Sequence, residues 1–368
     1  MKILVGLSGG VDSSVCAAML KEQGHDVIGV TMSIWGKDGV YKKIQEKMNS
    51  QFSNKRHGAC LGPSEKEDIE VAQRVAKQIG IDFHVFDCAK QYEEIVLNNF
   101  KKEYLSGRTP NPCVWCNALI KFELLPHLAK ENGIKFDKFA TGHYARVEEI
   151  SEGDYILKKG IEPKKDQSYF LYRLTKNQLK NIILPLGVYS KKQIREYAKN
   201  MGLAVADKPD SQDFYEGDYN ELLQVDDKIG NIVDESGNIL GQHRGFWNYT
   251  VGQRKGLGVS SSEPLYVTEL KKDSNEVVVG FKNSTMKNTL IANKLNWIGF
   301  KNTDIEFVCE AKIRSSQIPQ KVIVKLLDEQ KMEVEFENMQ SNITIGQSIV
   351  LYDDEVVLGG GIIDEVVK

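Results

Sequence analysis

Two thiols three positions apart, Cys113 and Cys116, stand in a proline-bound stretch, Gly107-Arg-Thr-Pro-Asn-Pro-Cys-Val-Trp-Cys-Asn117. At that spacing both sulfurs can face one point, as metal ligands, as cluster ligands or as a disulfide pair. Zinc is disfavoured, because no second CxxC or Cys/His pair follows at finger spacing. A second chemical stretch lies near the start, Gly6-Leu-Ser-Gly-Gly-Val-Asp-Ser13, between an apolar run and a helical pattern. Its adjacent glycines let the backbone turn tightly and aim N–H groups inward. Ser8 and Ser13 add hydroxyl donors, and the helix that follows presents its positive end to an anion. No Lys-Ser/Thr pair follows the glycines, so this is not a Walker A loop. Taken alone, Gly9-Gly10 is an ordinary turn and Met32 an ordinary core methionine.

The elements that must hold these groups alternate between strand and helix. Lys2–Leu7 and Asp26–Trp35 read as buried strands, and Asp12–Gln23 between them carries helical spacing, with Val15, Ala18 and Met19 on one face. Ser64-Glu-Lys-Glu67 and Ser190-Lys-Lys-Gln193 have the form of capping boxes, each opening a helix. Asp82–Phe86 and Asp137–Thr141 are further strands, whereas Lys37–His57 is polar, lacks clear periodicity and reads as a loop. The expected fold is α/β: a doubly wound parallel-sheet domain over residues 1–206, a small connecting domain over 207–280 and a C-terminal antiparallel β-barrel over 281–368.

Composition narrows the partners. The 368 residues are 41% hydrophobic and 27% charged, ordinary for a globular chain of two or three domains. No apolar run reaches about 18 residues, so no membrane-spanning helix is expected. MKILVGL runs straight into a strand, which argues against a signal peptide and for a cytoplasmic protein. The six cysteines then read as thiols, ligands or catalysts rather than a disulfide scaffold. A net charge of −3 predicts no nucleic-acid partner by itself. Locally the balance differs: Tyr155–Lys199 holds eleven Lys or Arg against three Asp or Glu, an excess of +8. Phosphate binding needs such a patch, although a charge run alone is more often a solvated face.

Ser8-Gly-Gly-Val-Asp-Ser13 after the first strand resembles the loop of the ATP pyrophosphatase (PP-loop) family, whose members cleave ATP to AMP and pyrophosphate while adenylating a substrate. The loop does not choose the substrate, but the other motifs do. TPNPCVWCN, Thr141-Gly-His-Tyr-Ala-Arg146, Lys165-Asp-Gln-Ser-Tyr-Phe170, Asp210-Ser-Gln212 and Tyr249-Thr-Val-Gly-Gln-Arg-Lys-Gly-Leu-Gly258 together resemble the tRNA-specific 2-thiouridylase family, in that family's order and over nearly the whole chain. The resemblance implies an ATP-dependent transferase acting on tRNA with a wobble uridine. Such an enzyme would adenylate O2 of the base and replace it with sulfur from a persulfide carrier or sulfide, with no membrane involved.

Residue by residue, the resemblance implies an ATP site, with magnesium, lined by Gly6, Leu7, Ser8, Gly9, Gly10, Val11, Asp12, Ser13, Met32 and Gly142. It implies that Asn111, Pro112 and Cys113 approach the target base. His143, Lys165, Asp166, Gln167, Arg314, Ser315 and Gln347 would contact tRNA. The expected catalytic residues are Cys116, in the nucleophile position, with Cys113 and Asp12. One departure stands out: the family's second cysteine follows the DSQ segment, and here no cysteine occurs between Asn117 and Val308. Cys60, in the loop His57-Gly-Ala-Cys-Leu-Gly-Pro63, offers a substitute. Cys60, Cys113 and Cys116 are candidate ligands for a 4Fe-4S cluster, the alternative being that Cys113 and Cys116 act as a redox pair. Cys16, Cys88 and Cys309 read as packing thiols. Two other functions stay open, a non-catalytic tRNA-binding relative and another AMP-forming PP-loop ligase.

Overall fold

A computed structural model describes residues 1–36, 39–51, 59–62, 64–210, 213–215, 217–299 and 305–367. The chain forms two compact units, one of Met1–Leu97, Pro112–Gly217 and Glu355–Val357, the other of Asn98–Asn111, Asp218–Asp354 and Leu358–Lys368.

In the first unit β1 (Lys2–Gly6), α1 (Val11–Glu22), β2 (Asp26–Ser33), α2 (Gly39–Gln51), β3 (Ala59–Leu61), α3 (Glu65–Ile79), β4 (Asp82–Asp87) and β5 (Lys138–Ala140) follow in order. A five-stranded sheet runs β4-β2-β1-β5 and then Ile182–Ile183, every pairing parallel. The β1 strand is central because Ile3, Leu4 and Val5 are apolar on both faces and wholly buried, as parallel strands covered by helices must be. The strand order reverses beside β1, which places a crevice at its carboxyl end, where Gly6 leads into α1. Val11, Val15, Cys16, Ala17, Ala18, Met19 and Leu20 of α1 all join the core.

Two expectations for this unit change. The polar stretch 37–57 contains a helix, α2, on which Tyr41, Ile44, Gln45 and Met48 are buried at positions one helical turn apart. Residues 37, 38 and 52–57 of that stretch lie outside the described residues. Ser64 does begin α3, but without a capping box. Its backbone is already near-helical (φ −84°, ψ 9°), and its hydroxyl meets Asp68 Oδ2 at 3.2 Å instead of an α3 amide. The second capping box is present at Ser190 and Gln193, and Thr175 with Gln178 makes another.

A hairpin, Ala145–Ser151 with Asp154–Lys159, completes the first unit. Its outer strand is met by residues from late in the chain. Val356 pairs with Lys158, the Lys159 amide donates to Glu355 O at 2.8 Å, and Arg146 bonds the Glu355 carboxylate at 2.9 Å.

The second unit holds a four-stranded sheet in the order Ile239–His243, Gly230–Asp234, Glu276–Gly280, Tyr266–Lys271. It also holds a closed six-stranded antiparallel barrel: Met286–Trp297, Lys331–Ser341, Gln320–Asp328, Glu306–Lys312, Ser348–Asp353 and Val356–Val366, the last pairing with the first. Alternation fills it. Val322 and Val324 point inward to Leu290, Val334, Phe336 and Ile363, while Lys321, Ile323 and Lys325 face out. Among the described residues no helix is long and apolar enough to cross a membrane.

Candidate active site

The loop after β1 is drawn tight by its own hydroxyls. The Ser8 amide donates to Ser13 Oγ at 3.1 Å, the two serine hydroxyls lie 3.2 Å apart, and Ser13 Oγ donates to Gly10 O at 3.2 Å. Leu7 and Val11 turn their side chains into the core, so only their backbone can serve a ligand. Gly10 caps α1 without a side chain, leaving first-turn N–H groups available to an anion. Two glycines are required by contact. Gly9 has φ +72° and lies against the backbone of Asp68, where a Cβ would come within 2.4 Å of the carbonyl oxygen. Gly142 lies against the loop itself, and a Cβ there would meet the Asp12 carbonyl carbon and the Ser13 amide at 2.7 Å. Gly142 is thus brought to Asp12 and Ser13 from the end of β5.

Around Asp12 the structure assembles charges that motif reading passed over. Lys191 Nζ sits 2.7 and 2.8 Å from the two Asp12 carboxylate oxygens, and the Tyr144 hydroxyl donates to Oδ1 at 2.7 Å. Burial and the Asp12 charge push the Tyr144 phenol well above its usual range, so it stays a proton donor. Lys191 also bonds Asp210 at 2.7 Å, and Asp210 in turn receives Lys165 at 2.8 Å and Arg195 at 3.1 Å. Burial alone would raise the Asp210 carboxyl, but Lys165 and Lys191 outweigh it and hold the group below its usual range. Lys208 donates to the Gly9 carbonyl at 2.9 Å and pairs with Asp68. The helix start at Lys191 was readable from its capping box, but its partner was not.

Of the Lys165-Asp-Gln167 triplet, Lys165 is partly exposed, while Asp166 is 7% exposed. Asp166 accepts from the Gly160 amide at 3.1 Å and from the Ser168 amide and hydroxyl at 3.0 Å, so its carboxylate shapes the turn. Gln167 holds the Tyr144 amide at 2.9 Å. His143 bonds Thr141 Oγ1 at 2.7 Å, and burial, then the Lys121 charge, push its imidazole down to about 3, leaving it neutral at physiological pH.

Met32 stands half-buried at the carboxyl end of β2, opposite Phe86. The strand end beside it is held by Glu65, which accepts from the Ile34 amide at 2.6 Å and the Ser33 hydroxyl at 3.1 Å.

Cys113 lies on a short helix, Pro112–Trp115, that continues as a π-helix, Cys116–Leu124. Pro112 suits the first turn, which needs no N–H there. Cys113 is partly exposed and Cys116 buried. The π-helix packs on the sheet through Phe122, whose ring lies 5.8 Å from Phe139 of β5 and 5.5 Å from His143. Asn117 Nδ2 donates to Phe170 O at 3.3 Å. Cys88 is buried, and burial, with the Asp87 and Cys116 charges behind it, raises its thiol to about 12. Cys16 is driven up by burial alone. The Cys60 side chain lies outside the described residues, and among those described no group of three or more His, Cys, Asp or Glu is placed to hold a metal.

In the second unit Arg314 is exposed and donates to Asn342 O at 3.2 Å and Thr344 Oγ1 at 3.0 Å, with Ser315 beside it, half-buried. Gln347 Nε2 donates to Thr109 O at 2.9 Å and Pro110 O at 3.1 Å, gripping the backbone that leads into Asn111.

Known proteins resemble this chain over nearly its whole length. Residues 1–215 match the family model described as tRNA methyl transferase HUP domain, 222–281 the tRNA methyl transferase PRC-barrel domain, and 287–363 the aminomethyltransferase beta-barrel domain. The tRNA-specific 2-thiouridylase MnmA of Endomicrobium trichonymphae is 48% identical over 99% of this chain and 99% of its own. The chain belongs to the tRNA-specific 2-thiouridylase family.

Another family member, from Clostridioides difficile strain 630, is 42% identical over 99% of this chain and 98% of its own. A solved 4-thiouridine synthetase–RNA complex with bound ATP matches at 17% identity and TM-score 0.33, covering 56% of this chain and 42% of that one, too partial a likeness to bear on function. Lys191, Lys208, Arg195 and Asp68 stand outside the 2-thiouridylase motifs, and Tyr144 stands inside one of them without its bond to Asp12 being readable there.

Proposed function

We propose that this chain thiolates the wobble uridine of tRNA anticodons at C2, using ATP. The carrying observation is the phosphate-shaped loop Ser8–Ser13, with Asp12 set in a cationic network, in a member of the 2-thiouridylase family. The triphosphate takes the open amides of α1 and the two serine hydroxyls, beside Lys191 and Lys208. The uridine O2 attacks the α-phosphorus and pyrophosphate leaves. Oxide, a hopeless leaving group, has become a phosphate ester. Sulfide then attacks C2, the C2–O bond breaks, and AMP departs with the oxygen. Where a persulfide on Cys116 supplies the sulfur, its terminal sulfur bonds C2 and the Cys113 thiolate breaks the S–S bond, leaving a Cys113–Cys116 disulfide. The backbone of Gly6–Ser13, Met32 and Gly142 form the nucleotide site. Asp12 and Asp210, carboxylates that share one ammonium, are oxygen donors of the kind magnesium takes.

Asn111, Pro112 and Cys113 meet the base, Cys116 acts in sulfur delivery, and Lys165, Arg314, Ser315 and Gln347 hold tRNA. His143, Asp166 and Gln167 act through the turns they brace. A 4Fe-4S cluster held by Cys60, Cys113 and Cys116 would supply an iron open to sulfide; of these thiols the structure describes Cys113 and Cys116, i,i+3 neighbours at a helical junction. The division 1–206, 207–280 and 281–368 separates adenylation from the connecting and barrel parts, and the reaction belongs in the cytoplasm with its tRNA.

The matching family models carry the words methyl transferase. Methyl transfer has no use for a triphosphate cradle, which favours thiolation. The test is nucleoside mass spectrometry of unmodified tRNA incubated anaerobically with the protein, ATP, magnesium and sulfide. A 2-thiouridine product with equimolar AMP is expected; a methylated base, or AMP without thiolation, overturns the reading.

A further inference from the structure

Between Cys113 and Cys116 stands Trp115, and over its ring lies a residue from a different segment. The guanidinium carbon of Arg173 is 4.3 Å from the centroid of the Trp115 ring and 5.8 Å from that of Tyr172. Both Trp115 and Arg173 are partly exposed, whereas Tyr172 and Leu171 beside the arginine are wholly buried and anchor its backbone. The two segments are joined a short way off by the Asn117–Phe170 hydrogen bond, so the pair is held from both sides. Arg173 also belongs to the stretch Tyr155–Lys199 with its local charge of +8.

The stack holds both side chains in place beside Cys113 and Cys116 while part of each stays exposed. Its chemistry fits one class of ligand, an unpaired nucleobase. A guanidinium backed by an indole offers a flat cationic plane on which a base can stack, and neither an isolated phosphate nor a peptide needs that plane. We propose that the Arg173–Trp115 pair is a stacking platform for a splayed anticodon nucleotide flanking the target uridine, and that it fixes the register in which the uridine reaches Cys113 and Cys116. This deepens the thiolation reading and rests on it.

The test separates stacking from charge. Arg173→Lys keeps the cation and removes the plane; Trp115→Leu keeps apolar bulk and removes the ring; Trp115→Phe restores a ring. Dissociation constants are measured by filter binding for intact tRNA and for tRNAs with one abasic residue on either side of the wobble position. Arg173→Lys and Trp115→Leu should each weaken intact tRNA about tenfold, the scale of one lost base stack, with Trp115→Phe recovering most of it. Neither variant should suffer a further loss with the abasic tRNA that already lacks the stacked base. The salt slope of Arg173→Lys should match wild type, since no phosphate contact is lost. Wild-type affinity in Arg173→Lys, or a full abasic penalty persisting in Trp115→Leu, overturns the platform while thiolation by the wild type stands. If the wild type forms no 2-thiouridine, the functional reading falls and the platform with it.

Discussion

The ammonium of Lys191 lies 2.7 Å from a carboxylate oxygen of Asp12 and 2.7 Å from one of Asp210, so one cation neutralises two anions at the mouth of the phosphate loop. Lys191 is only 9% exposed, and its removal would leave two like charges facing each other. Lys191→Met is expected to lower stability by about 3 kcal/mol, as for a buried pair broken on one side. Pyrophosphate release should fall about 100-fold, the scale of one lost electrostatic contact to developing charge. Urea unfolding and a pyrophosphate assay check both; full activity in the variant would take Lys191 out of the adenylation step.

Gly142 gives a steric prediction. A methyl group there would press on the loop backbone at 2.7 Å, and neither side of that contact is a flexible side-chain end. Gly142→Ala should displace the loop and raise the KM for ATP tenfold or more, at an overpacking cost of about 1–3 kcal/mol. tRNA affinity should change little. An unaltered KM would mean that β5 can slide away from α1 freely.

His143 gives the pH dependence. Its folded-state pKa of about 3 lies below the ordinary 6.5, so between those values the unfolded chain binds the extra proton. Stability therefore rises with pH through that window, by up to about 1.4 kcal/mol per pH unit, and the contribution is lost as pH falls towards the folded value. His143→Gln should flatten that slope between pH 4 and 6 in urea titrations (roughly the middle of the window). Parallel profiles for wild type and variant would show that the imidazole is hydrated after all.

The basic stretch is tested by salt. Lys164 and Lys176 are exposed, and reversing both to Glu should weaken tRNA binding and make log K less steep in log salt by about 1 per lost phosphate contact. An unchanged slope would make this stretch a solvated face.

Much of this was legible in the chain. Apolar β-branched runs gave β1, β2 and the barrel strands, and Ser190 with Gln193 gave a helix start that the structure repeats to the hydrogen bond. The helix α2 was not read, because Gln45 interrupts the buried row Tyr41, Ile44, Met48 and lysines and glutamates crowd the other faces. At Ser64 the spacing was right and the chemistry wrong: the useful carboxylate is Glu65, which serves the end of β2 rather than its own helix. The charge network was beyond motif reading for a simpler reason. Asp12 meets Tyr144 at a separation of 132 residues and Lys191 at 179, and no local pattern records such partners.

The pairing of Val356 with Lys158, and of Glu355 with Arg146 and Lys159, sets an order of events during synthesis. As the chain leaves the ribosome, β1 to β5 and the hairpin Ala145–Lys159 emerge long before the residues that cover the hairpin's outer strand. Until then that strand offers bare amides and carbonyls to any neighbour, the condition under which nascent chains stick edge to edge. A ribosome stalled in the barrel before Glu355 therefore releases a product whose nucleotide-binding part is folded in outline but adhesive along one side. Glu355 and Val356 thus mark progress of synthesis: only a chain extended past the barrel's fifth strand can cover the hairpin's edge.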